Sequence, residues 1–306
     1  MKTLRTLAYL TAGFAYALIV LGAVVRITES GLGCGDHWPL CNGQVIPTFT
    51  DHTVIIEYTH RIAALGLFAL IIVLAGTAFA MREKPGVAGR GGVLRPALLA
   101  LGLYFGLALL GAIVVKLDLH ASAVVLHLGT AMALLATLLV AGWRADGGSG
   151  KGEAGSGVQP VSGRLKRATI AAAAISLVAI ILGGLVATTG AAGACQGFPL
   201  CNGQVWPTIG TPGLTHLHWI HRLIAYALFG HLTGLAMGSR RRGDPAVIRR
   251  WAMLSVAAVT LQVLVAAVMV LMYLPPVWRA LHQAVGTAVW VAVVGLAWRV
   301  RAHPAA

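Results

Sequence analysis

Four histidines, His60, His127, His221 and His282, stand inside long apolar stretches of the chain. An ionisable side chain at membrane depth is costly, so it turns to a bundle interior and marks function. With a rise of about 1.5 Å per residue, His60 and His127 each lie roughly 9 Å inside the start of their stretches, and His221 and His282 fall at similar or slightly shallower depth. Two imidazoles level with one another on alternate helices can grip an iron porphyrin from its two faces. One haem per half of the chain is the economical reading. A lone intramembrane histidine can instead hydrogen-bond to a neighbouring helix, but four of them, duplicated and level, favour iron. A zinc site is disfavoured because neither half offers a third or fourth buried ligand at zinc-like spacing.

Charged residues cluster beside the first of these histidines. Arg61 and Arg222 each follow a candidate ligand, and a guanidinium suits planar carboxylates such as haem propionates; snorkelling to the interface is the other use of such a side chain. Glu57 precedes His60 by three residues and shares its helical face. A carboxylate beside a porphyrin could move protons during an oxidation, or it could orient a ligand or pair with Arg61. The second half has His218 where the first has Glu57, and Ala187 and Gly190 where the first has Arg26 and Glu29. The N-terminal half therefore reads as the reactive one. His231 reads as structural, and His37, His52, His120 and His216 as outer-surface residues.

The cysteines are Cys34, Cys41, Cys195 and Cys201. On a straight helix Cys34 and Cys41 would stand about 10.5 Å apart, beyond disulfide reach, but a loop containing Pro39 can bring them together. In an oxidising outer compartment a disulfide within each loop is expected. A redox-active pair is the alternative, and spacing does not decide between them.

The elements that must carry these groups follow from composition. Of 306 residues, 58% are hydrophobic and 10% charged, far too little charge for a domain surrounded by water. The net charge of +14 would point to nucleic acid in a soluble chain, but here the basic residues fall between apolar runs and set topology. Eight runs approach the roughly 20 residues that cross a bilayer: 7–25, 54–80, 96–115, 121–142, 168–189, 214–238, 251–273 and 278–298. Eighteen of the 23 Lys and Arg fall on one side, which places both termini in the cytoplasm and the cysteine loops outside. The basic start and Ala15-Tyr16-Ala17 imitate a signal peptide, yet the apolar run continues through Val25, so an uncleaved first span is expected. Residues 145–162, rich in Gly and Ser, read as a flexible linker.

The chain is also an internal repeat. Cys34 is answered by Cys195, and Pro39-Leu40-Cys41-Asn42-Gly43-Gln44-Val45 recurs as Pro199-Leu200-Cys201-Asn202-Gly203-Gln204-Val205. His60-Arg61 is answered by His221-Arg222, and Leu126-His127 by Leu281-His282. With four spans in each half, both copies enter the membrane in the same orientation. The expected fold is all-α: a polytopic membrane protein of eight transmembrane helices in two tandem four-helix bundles, residues 1–144 and 168–306, joined by a cytoplasmic linker at 145–167.

Glu57-Tyr58-Thr59-His60-Arg61, Leu126-His127, His221-Arg222, Leu281-His282 and the paired-cysteine loops together resemble the haem A synthase family over essentially all eight spans. The resemblance implies conversion of haem O to haem A, by stepwise oxidation of a ring methyl through hydroxylated intermediates to a formyl group, for use by cytochrome oxidase. It implies that His60 and His127, with Arg61, hold the haem O substrate with Glu57 assisting as the catalytic acid, and that His221 and His282, with Arg222, hold a permanent haem b. It ties the Cys34/Cys41 pair to function and leaves Cys195/Cys201 as a structural pair. Haem O synthase and cytochrome oxidase assembly factors are the implied partners, in the bacterial cell membrane, with an oligomer compatible and no nucleic acid.

A di-haem b-type electron carrier linked to quinol is the principal rival; it needs two permanent haems and no catalytic acid. A quinone-linked disulfide oxidoreductase, or a transporter built from repeats, leaves the four histidines unexplained. If His221 is an axial ligand, His221→Ala removes haem b from the purified protein, read from its optical spectrum; an unchanged spectrum would mean that the ligands lie elsewhere.

Overall fold

The structure is a computed structural model that describes residues 1–49, 51–147, 160–208 and 210–304. The described residues form eight α-helices: α1 (Lys2–Ile27), α2 (His52–Ala80), α3 (Leu94–Lys116), α4 (Ala121–Ala145), α5 (Gly163–Thr188), α6 (Gly213–Arg241), α7 (Ala246–Leu271) and α8 (Pro276–Ala302). Most of the Gly/Ser-rich stretch expected to be a linker, residues 148–159, lies outside the described residues; α4 runs up to it through Ala145 and α5 follows from Gly163.

Local chemistry marks the helix starts. The Asp51 side chain caps α2 by accepting from the Thr53 N–H at 2.9 Å, and Ser162 caps α5 by accepting from the Leu165 N–H at 3.2 Å, each satisfying a donor that the first turn leaves free. Proline precedes α6, α7 and α8 at Pro212, Pro245 and Pro275. The repeat extends to the turns. α3 is followed by Asp118 and Leu119 with φ of 46° and 60°, and α7 by Tyr273 and Leu274 with φ of 59° and 65°, a left-handed pair that costs energy in any residue but glycine.

Seven of the helices are long and apolar enough to cross a membrane, and the chain is an all-α polytopic integral membrane protein. The sequence reading expects eight such spans. The exception is α6, which has the length, 29 residues, but not the apolarity, because His216, His218, His221, Arg222 and His231 all lie along it.

The chain divides into two compact units, Met1–Gly155 and Ser156–Ala306. Within the first, α1 packs on α2 and α4, and α3 packs on α2 and α4. The helices therefore form a ring in which α2 and α4 stand on a diagonal. Within the second, α5 packs on α6 and α8, and α7 packs on α6 and α8, so α6 and α8 are diagonal. These diagonal pairs are the ones that carry the four histidines.

Each unit is packed tightly at the end away from its cysteine loop. In the first, Leu67, Ile71 and Leu74 of α2 and Met132, Leu135 and Leu138 of α4 are fully buried, all C-terminal to the histidine of their helix. In the second, Leu165, Leu232, Ile248, Val293 and Leu296 belong to one apolar cluster at the corresponding end. Dense interiors leave little room for added volume. At the α7–α8 contact a Cβ on Gly295 would fall 2.1 Å from Trp251 Cζ3, so Gly295→Ala must displace the indole. The expected loss is about 1–3 kcal/mol, seen as a lower thermal midpoint in detergent; an unchanged midpoint would show that the contact is loose.

Candidate functional site

The cysteine loops are built alike. Cys34–Cys41 and Cys195–Cys201 are disulfides, with Cα atoms 4.4 and 4.9 Å apart. Asn42-Gly43 and Asn202-Gly203 have positive φ throughout, the geometry of a tight Asn-Gly hairpin turn. Cys41 and Gln44 exchange both backbone hydrogen bonds at 2.9 Å, and Cys201 and Gln204 do so at 3.2 and 2.9 Å. All four cysteines are buried.

An arginine ties each loop to its helix. In the first unit Arg61 Nη1 donates to the carbonyls of His37 and Leu40, both at 2.7 Å. Its Nε donates to Glu57 Oε1 at 3.1 Å, and Nη2 pairs with the same carboxylate oxygen. Glu57, 4% exposed, accepts the Cys34 backbone N–H on Oε2 at 2.7 Å. Both carboxylate oxygens are thus engaged, one by the arginine and one by the disulfide loop.

In the second unit Arg222 Nη1 donates to the carbonyls of Gly197 and Leu200 at 2.9 and 2.8 Å, and Nη2 to that of Cys195 at 2.6 Å. Its Nε donates to His218 Nε2 at 3.3 Å, which requires the proton of that ring on Nδ1, 3.0 Å from the Ala191 carbonyl it meets. His218 therefore takes the place of Glu57 in a matching network, as a neutral group. The difference is one of charge: Glu57 balances Arg61, whereas no carboxylate among the described residues pairs with Arg222, itself 6% exposed.

The four histidines are all partly buried, and His60 and His221 directly precede Arg61 and Arg222. His60 on α2 and His127 on α4 belong to the diagonal helix pair of the first unit. Three of the rings lean on a glycine of the preceding helix. A Cβ on Gly22 would stand 3.3 Å from His60 Cε1, one on Gly111 3.4 Å from His127 Cε1, and one on Gly183 2.9 Å from His221 Cε1. The Nδ1 atoms of these three rings are buried with no hydrogen-bond partner, an unusual and expensive condition for a polar atom. The fourth ring, His282, is met by Gln262 of α7, whose amide nitrogen is 3.1 Å from Nδ1 and 3.3 Å from Nε2.

Among the described residues no group of three or more His, Cys, Asp or Glu converges as a metal-holding set. Two imidazoles alone make a poor protein-only metal site, since structural and catalytic zinc need three or four protein ligands. They are what an iron porphyrin requires, because the macrocycle supplies the remaining donors. The residues fit a haem: two imidazoles on the diagonal helices of each unit, and glycines that hold space beside three of the rings.

The sequence reading names the histidines, Glu57 and the arginines but not the atoms that Arg61 and Arg222 bond, nor Gln262. Gly22 and Gly183 occupy matching positions of the repeat, a signal that could have marked the ring-to-glycine contact. Of the other histidines, His231 Nε2 lies 2.8 Å from the Ala168 carbonyl of α5, while His37, His52 and His120 are exposed and His216 is partly so.

Comparison with known proteins covers nearly the whole chain. A haem A synthase from Symbiobacterium thermophilum is 29% identical over 95% of this chain and 93% of its own length. One from Alkalihalophilus pseudofirmus is 34% identical over 74% and 73%. A protoheme IX farnesyltransferase from Thermus thermophilus is 32% identical over 94% of this chain, which spans only 48% of that longer protein. The COX15-CtaA family, described as cytochrome oxidase assembly protein, matches residues 5–294, and the chain belongs to it.

Proposed function

We propose that this protein is a haem A synthase, an oxidoreductase that converts the ring methyl of haem O to the formyl group of haem A for cytochrome oxidase. The observation that carries the reading is the placement of His60 and His127 on the diagonal helices α2 and α4, with the buried carboxylate of Glu57 one turn from His60 on the same helix. An electron carrier needs two alike haem sites and no acid. Here the two sites share a scaffold and differ in that carboxylate.

In this reading residues 1–144 form the reactive half. His60 and His127 hold haem O, Arg61 stands beside it with its charge shared with Glu57, and Glu57 handles protons at the substrate. Its hydrogen bonds with the Cys34 N–H and Arg61 aim the carboxylate. Residues 168–306, beyond the 145–167 linker, hold haem b between His221 and His282. Haem b, when bound, supplies a one-electron couple. Arg222 offers an uncompensated buried charge to its carboxylates, and burial strengthens that attraction. The arginine networks hold each disulfide loop over the histidine end of its unit; Cys34–Cys41 serves the reaction, and Cys195–Cys201 is structural.

The farnesyltransferase resemblance supports a partnership with haem O synthase: in that Thermus protein a region like this chain makes up about half of a polypeptide named for farnesylating protohaem. Cytochrome oxidase assembly factors are further partners, an oligomer is compatible, and the site is the bacterial cell membrane. The distribution of Lys and Arg supports cytoplasmic termini and extracytoplasmic cysteine loops.

Expression with a source of haem O yields haem A on chromatography of the extracted pigments. Recovery of only haem b and haem O from folded protein supplied with oxidant and reductant favours the electron carrier. Glu57→Ala abolishes haem A while haem b stays bound; loss of haem b with turnover retained reverses the assignment of the halves.

A further inference from the structure

His282 is held differently from the other three histidines, and the difference involves three positions at once. When Leu126-His127 is laid on Leu281-His282, Gln262 falls on Leu107, Ala266 on Gly111 and Gly286 on Ala131. In the first unit His127 leans on Gly111, and the Leu107 side chain has no donor or acceptor to give it. In the second, an amide reaches the His282 ring. Gly286, one turn after His282 on α8, is where a Cβ would come within 3.1 Å of the Gln262 amide nitrogen. The absent methyl is what gives the amide its room.

The chemistry of the amide adds a direction. Gln262 Oε1 is buried with no partner, and a half-turn of the amide exchanges oxygen and nitrogen, which are nearly equal in size. With the oxygen toward the ring it accepts from Nδ1–H. Settled on Nδ1, the nearer of the two ring nitrogens, this bond fixes the tautomer with the lone pair on Nε2 and raises the basicity of the ligand. No side chain among the described residues bonds Nδ1 of His60, His127 or His221.

We infer that Gln262 is a positioning residue for His282, and that its hydrogen bond makes the C-terminal unit the one that keeps its haem. The inference rests on the reading of His282 as an axial ligand. A unit whose haem is a cofactor gains from a tightened ligand, whereas a unit whose haem is substrate must let the product go; the Leu107 side chain at the matching position adds no such side-chain bond.

The test uses the full chain purified in detergent, in a His60→Ala background so that only the C-terminal haem is read. Three quantities are followed: transfer of ferric haem to excess apomyoglobin, the midpoint potential, and the low-spin ferric resonance spectrum. Gln262→Met, close in length but without an acceptor, speeds haem transfer by about 10- to 100-fold and raises the potential, because a less basic imidazole stabilises the ferric state less. Gln262→Glu, which restores an acceptor, returns both toward the parent values. Gly286→Ala, which crowds the amide without touching the ligand, moves them in the same direction as Gln262→Met. Parent rates and potentials in both Gln262→Met and Gly286→Ala overturn the inference. If instead His282→Ala leaves the spectrum of the background protein unchanged, the ligand assignment itself fails and the role of Gln262 falls with it.

Discussion

A guanidinium at the rim of a membrane bundle must have its N–H groups met, and Arg61 and Arg222 meet theirs largely on the carbonyls of a disulfide loop. Arg61 bonds His37 and Leu40; Arg222 bonds Cys195, Gly197 and Leu200. Each arginine directly follows a histidine in the chain. Tying it to the loop therefore sets the depth and rotation of the helix turn that presents the imidazole. Unsatisfied buried donors cost more than a hydrogen bond returns, so the loop, the arginine and the histidine keep one register. Tyr104 adds a support one turn deeper, its hydroxyl donating to the Ala64 carbonyl of α2 at 2.8 Å while its ring stacks on Phe68.

Duplication supplied this device twice, and the chemistry lies in what was changed afterwards. Replacing a carboxylate by His218 keeps the hydrogen bond to the arginine and removes the negative charge. The first unit thereby holds a neutral pair beside its histidines and the second an excess positive charge. The two compartments thus diverge through electrostatics on a common frame rather than through a change of fold.

Much of this was legible in the amino acids because the governing constraint, lipid around the chain, writes itself along a single helix. Apolar run length, basic flanks, the recurrence of Pro-Leu-Cys-Asn-Gly-Gln-Val and the lone intramembrane histidines need no knowledge of neighbours. The cysteine loops were half legible: proline and Asn-Gly announce a turn, and the structure closes both bridges there. What stayed hidden are contacts between helices. That Gly183 meets His221, that Glu57 reaches the Cys34 amide and that Gln262 reaches His282 depend on which faces are turned together, which no periodicity within one helix reveals. The eighth span shows the converse. The sequence reads α6 as one more apolar crossing, but the polar groups that equip it for function reduce its apolarity below that of the other seven.

That shortfall bears on how the protein is made. A segment bearing His218, His221 and Arg222 partitions poorly into lipid by itself, and those groups become tolerable only when their donors and acceptors are met by the adjoining loop and by α5 and α7, between which α6 is packed. α6 therefore depends on its neighbours for a stable place in the bilayer more than the more apolar helices do. The helix that bears His221 is accordingly the one whose insertion leans most on the chain around it.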